Sequence, residues 1–83
     1  MTAPTCRWYP TTITVGQQAK FIFNTGGLDA TVTGYDRSTS TYTYTSEQGP
    51  DIIIIHRFNE AGSFDWTVSS SEGTCTATLV VTE

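Results

Sequence analysis

Cys6 and Cys75 stand almost at opposite ends of an 83-residue chain, and each lies in a run with the character of a β-strand. A bridge between them would tie the first strand to the last and close nearly the whole chain into one loop. Two cysteines permit one intramolecular pairing, so connectivity is settled if the bridge forms. Closing a loop of ~70 residues stabilises by roughly 4 kcal/mol in the chain-entropy account. That is a large share of the ~5–15 kcal/mol typical of a folded domain. The alternative is two reduced, buried thiols in a protein that folds inside a cell. Matching positions in terminal strands favour the bridge. A chain this short is near the lower limit at which one apolar core suffices, and covalent staples are common at that size. The expectation is therefore one all-β domain over residues 1–83, secreted or displayed on a surface.

No segment carries a helical period of useful length, whereas alternation recurs throughout. The runs Thr5–Tyr9, Ile13–Val15, Gln18–Asn24, Ala30–Tyr35, Thr41–Ser46, Asp51–Phe58, Ser63–Ser69 and Cys75–Thr82 are predicted strands. Pro10 ends the first, because proline cannot continue a ladder. Thr25-Gly26-Gly27, Glu47-Gln48-Gly49-Pro50, Asn59–Gly62 and Glu72-Gly73 mark turns, and Asp36–Ser40 is predicted as a loop. Phe21 and Phe23, Phe64 and Trp66, and Leu79 each fall on one parity of their strands and form the predicted core. Short strands at a spacing of about ten residues with turn chemistry between them predict a β-sandwich. Threonine is frequent while Ala, Leu and Lys are scarce, which suits pleated surfaces better than helices.

Charge is sparse and acidic, with a formal net charge of −4. Arg7, Lys20, Arg37 and Arg57 are isolated along the chain and form no basic run, so nucleic acid is not the expected partner. No apolar run approaches the ~18 residues needed to span a bilayer, so no membrane insertion is expected. Residues 1–4 lack the features of a signal peptide. The chain is expected to be either one domain of a longer surface protein or a small protein that reaches its site by assembly.

A family likeness sits on particular residues. The stretch from His56-Arg57-Phe58 through Gly62, Phe64-Asp65-Trp66-Thr67-Val68, Glu72-Gly73 and Thr78-Leu79-Val80-Val81 resembles the C-terminal half of PKD-type immunoglobulin-like domains. Pro10–Gln17, with Phe21 and Phe23, resembles the opening of many bacterial Ig-like domains. The Trp-Asp-Phe-Gly-Asp-Gly run of PKD domains has no counterpart; Asp29–Asp36 occupies its place, so a looser bacterial or phage Ig-like domain fits better. The resemblance implies an immunoglobulin-like β-sandwich of seven to eight antiparallel strands and a role in display, spacing or adhesion.

Candidate functional residues are few. His56 is the lone histidine, with no Cys-x-x-Cys near it, and is expected to be structural. Asp29, Asp36, Asp51 and Asp65 are too dispersed for a dense calcium loop. No nucleophile, base or paired carboxylates stand in a recognisable arrangement, so no catalytic residue, metal or cofactor is expected. Tyr42 and Tyr44 share one side of a Thr-rich strand, with Tyr35 and Arg37 nearby. They form either part of the core or an amphipathic platform for sugar rings or a partner. Ile52–Ile55 puts isoleucine on both faces of one strand, where a half-buried strand needs only one. Ile53 and Ile55 are therefore covered either by a loop of the same chain or by a partner.

These residues point to a non-enzymatic module at a cell or virion surface. It would adhere weakly to a cell-surface glycan or protein, or decorate a larger surface assembly. The competing readings are a structural spacer in a multi-domain secreted protein and a carbohydrate-binding module attached to a hydrolase.

Overall fold

The computed structural model describes residues 3–36 and 38–83. Eight strands follow in order: β1 (Thr5–Tyr9), β2 (Thr12–Thr14), β3 (Gln18–Asn24), β4 (Ala30–Asp36), β5 (Ser38–Tyr44), β6 (Asp51–Arg57), β7 (Gly62–Ser70) and β8 (Gly73–Thr82). They form an all-β sandwich of a narrow sheet, ordered β1-β3-β6, and a wide sheet, ordered β2-β8-β7-β4-β5. The narrow sheet is antiparallel throughout. In the wide sheet β2 lies parallel to β8 and the remaining pairs are antiparallel.

Alternation builds the core. Odd residues of β3 (Ala19, Phe21, Phe23) and even residues of β7 (Phe64, Trp66, Val68) are buried between the sheets, while their neighbours point outward. Trp8 from β1 sits at the centre, with ring centroids 4.9 Å from Phe21, 5.0 Å from Trp66 and 5.5 Å from Phe58. Its indole Nε1 donates to the Ala77 carbonyl across the sandwich at 3.2 Å. The predicted core residues Phe21, Phe23, Phe64, Trp66 and Leu79 are all buried, and Trp8, Ile13 and Phe58 join them.

Pro10 interrupts the first strand, and the chain crosses there from the narrow sheet to the wide one. β1 therefore lies over β8, and Cys6 is bridged to Cys75 with their Cα atoms 5.9 Å apart. The bridge is a cross-sheet staple on the inner face, two residues from Trp8. Next to β1, β3 packs on the wide sheet, with Phe21 against Trp66 of β7 and Phe23 against Tyr44 of β5.

Most strand ends fall within one or two residues of expectation, and the start of β5 differs most. Ser38–Ser40, predicted as loop, opens β5, with Tyr35 opposite Thr39 and Asp36 opposite Ser38 in a tight hairpin. A Ser/Thr run has the composition of a loop, yet here it lies on an exposed edge where hydroxyl side chains are well tolerated.

Candidate functional site

Among the described residues, the outer face of the narrow sheet carries the most exposed large hydrophobic side chains. Cross-strand register sets them in rows: Tyr9–Lys20–Ile55, then Arg7–Ile22–Ile53, flanked by Gln18–Arg57 at one end and Thr5–Asn24–Asp51 at the other. Ile53 and Ile55 are each 57% exposed and Tyr9 is 62% exposed. Arg7, Lys20 and Arg57 are exposed on the same face. Three of the four cations of an acidic chain are thus gathered beside its largest exposed apolar side chains. This corrects the expectation of isolated basic residues. Arg7 and Arg57 stand 50 residues apart in the sequence and share a face only because β1 and β6 flank β3. Among the described residues Asp51 is the one carboxylate on this face, and its Oδ1 accepts from Asn24 Nδ2 at 2.9 Å.

The outer face of the wide sheet is different in kind. Thr41, Thr33, Thr67 and Thr76 lie in one row across four strands. Their neighbours are mostly hydroxylated, and the hydroxyls serve one another: Thr67 Oγ1 and Thr76 Oγ1 are 3.0 Å apart, and Thr78 donates to Asp65. Such a face is satisfied in water.

Of the residues singled out from sequence, Cys6 and Cys75 form the bridge. Tyr42 and Tyr44 point inward and are half-buried. Opposite them in the ladder stand Val32 and Ala30. Tyr42 stacks on Trp66 at a centroid distance of 6.2 Å, and Tyr44 meets Phe23 edge-on at 5.5 Å. Burial, and secondarily Tyr42, pushes the Tyr44 phenol above its ordinary value. Tyr35 lies on the opposite side of the wide sheet, 50% exposed, so it shares no surface with the other two. Arg37 lies outside the described residues. His56 is on the inner side of β6, its ring 4.7 Å from Phe58 and 5.3 Å from Trp66. Asp29 holds a loop by accepting from the Ser46 amide at 2.7 Å. Among the described residues no group of three or more His, Cys, Asp or Glu side chains is placed to hold a metal ion. Nor is any helix long and apolar enough to cross a membrane.

No protein-family model matches the chain. No curated protein matches it in sequence. Two solved structures share its fold. A candidate superoxide reductase from Thermotoga maritima aligns at TM-score 0.62 and 13% identity, over 99% of this chain and 87% of the other. The CARDB domain of a Pyrococcus furiosus protein, solved in complex with di-metal ions, aligns at TM-score 0.52 and 12% identity, over 96% and 93%. At such identity the likeness is of fold alone. It places the chain among all-β sandwiches of two packed sheets.

Proposed function

We propose that this chain is a non-enzymatic Ig-like module of a bacterial or phage surface assembly, and that it docks on a protein through the outer face of its narrow sheet. The observation that carries this reading is the exposed Ile53–Ile55 pair framed by Tyr9, Arg7, Lys20 and Arg57. Large aliphatic side chains left in water are unfavourable unless something covers them. Aromatic and arginine side chains around an apolar centre suit a protein interface. A glycan would use aromatic platforms, and the Tyr42–Tyr44 pair is turned into the sandwich. The net cations on this face favour a partner patch of acidic character. The Cys6–Cys75 bridge supports an oxidising, extracellular location.

An array bearing glycans beside surface and secreted proteins of the source organism tests this. Wild-type protein is expected to be retained on proteins. An Ile53→Ser/Ile55→Ser variant with an unchanged thermal transition should bind about tenfold more weakly or less. Retention on glycans that survives the double substitution would overturn the reading, as would retention on no protein.

A further inference from the structure

The outer face of the narrow sheet has a concave part. Thr5, Arg7, Ile22, Asn24 and Asp51 line a depression of about 280 Å³ at the end of the sheet where β3 finishes. Arg7 stands on β1 and Asp51 on β6, with β3 between them and a shift of two residues along the strands. Two strand spacings and two residue rises put their Cα atoms about 12 Å apart, on opposite rims. Ile22 lies in the row of Arg7, half-buried, and supplies an apolar floor.

The two rims carry opposite charge, and one of them is fixed in place. Asp51 Oδ1 accepts from Asn24 Nδ2 at 2.9 Å, and Asn24 Oδ1 accepts from the Gly26 amide at 2.7 Å. This chain of bonds sets the orientation of the amide and holds the carboxylate. With one carboxylate oxygen occupied, Asp51 suits a point-charge ammonium better than a two-pronged guanidinium. Arg7, exposed on the other rim, presents a donor fork that matches a carboxylate. A simple anion would meet repulsion from Asp51, and a simple cation repulsion from Arg7. The group that satisfies both rims carries a carboxylate and an ammonium at the two ends of an apolar stem.

We infer that this depression binds the C-terminal lysine of a partner protein. The terminal carboxylate sits on Arg7, the ammonium on Asp51, and the methylene stem along Ile22. An extended lysine separates its two charges by about 7 Å along a zigzag of ~1.5 Å bonds, which fits between the rims. Free lysine is a poorer ligand, because its α-ammonium adjoins the carboxylate and would face the Arg7 guanidinium. At a chain end an uncharged peptide amide takes that place. The inference rests on the reading above that this face meets a protein, and it specifies how the partner's end is held.

The test titrates Nα-acetyl-lysine, which reproduces the chain end, into isotope-labelled protein followed by NMR. Saturable shifts at millimolar ligand are expected at Thr5, Arg7, Ile22, Asn24 and Asp51. Nα-acetyl-lysine amide lacks the carboxylate, Nα-acetyl-norleucine lacks the ammonium, and free lysine adds a like charge beside Arg7. Each should bind about fivefold more weakly. Arg7→Gln and Asp51→Asn, with unchanged thermal transitions, should each weaken Nα-acetyl-lysine by about the same factor. Equal binding of the norleucine compound would leave a plain anion site and overturn the inference. Equal binding of free lysine would overturn the chain end as ligand, and the absence of saturable shifts at tens of millimolar would overturn the site. Ile53→Ser/Ile55→Ser keeps every lining residue, so it should lose protein retention on the array and still bind Nα-acetyl-lysine. Retention of proteins by wild type without Nα-acetyl-lysine binding would leave the docking face standing and remove only this site.

Discussion

The Trp66 indole lies directly against the bare Cα of Gly34. A Cβ built on Gly34 would come within 2.7 Å of Trp66 Cε2 and 2.8 Å of Cδ2. Trp66 Nε1 also donates to the carbonyl of the next residue, Tyr35, at 3.3 Å. A glycine in β4 thus makes room for the largest fully buried side chain of the core. Gly34→Ala should destabilise the fold by about 1–3 kcal/mol, because the ring has no free space to move into. Urea unfolding followed by tryptophan emission measures this; a variant as stable as wild type would show that the ring packs elsewhere.

The Cys6–Cys75 bridge closes a loop with a sequence separation of 69 residues. Cys6→Ala/Cys75→Ala should lower stability by roughly 4 kcal/mol if the unfolded chain is the state chiefly constrained. Denaturant unfolding of the variant and of reduced wild type should give nearly the same midpoint. Two free thiols in native protein by mass spectrometry would contradict the bridge itself.

Local patterns made most of the strands legible. Thr5–Tyr9 and Gln18–Asn24 were readable to the residue, because Pro10 stops one and Ala19, Phe21 and Phe23 alternate through the other. The hairpin after Tyr35 was not, since Ser38-Thr39-Ser40 has the composition of a loop and gains its strand character from pairing with β4. The candidate face was half legible. Ile53 and Ile55 stand out in any window, but Arg7 and Lys20 join them only through the order β1-β3-β6, a long-range property that no local spacing encodes. The inward turn of Tyr42 and Tyr44 was open in the sequence, because it depends on contacts with Trp66 and Phe23 in other strands, which are likewise tertiary.

Thr25 is fully buried, and its hydroxyl has no hydrogen-bond partner among the described residues. An unsatisfied buried hydroxyl costs about 1–3 kcal/mol, and removing it while keeping the side-chain shape recovers part of that. Thr25→Val should therefore raise the unfolding midpoint. Gly49 packs so closely on this side chain that Gly49→Ala should lower it. A destabilised Thr25→Val variant would mean that the hydroxyl finds a partner in solution.

The raised Tyr44 phenol makes stability depend on pH at the alkaline end. Its ionisation is harder in the folded state than in the unfolded one, where the value is about 10. Its contribution is fully present below that pH and is lost as pH rises through the folded value. Denaturant midpoints of wild type should fall above pH ~10, and Tyr44→Phe should reduce the fall. The effect is modest because the ring is half-exposed. An identical decline in both proteins would remove Tyr44 as its source.

In the proposed function the outer face of the narrow sheet meets a protein while the threonine face of the wide sheet does not. Photo-crosslinking on intact cells or particles of the source tests it most directly, with p-benzoylphenylalanine introduced in place of Ile53 in one variant and of Thr41 in another. Adducts to a foreign protein are expected from position 53 and none from position 41. Adducts from position 41 with none from position 53 would contradict it.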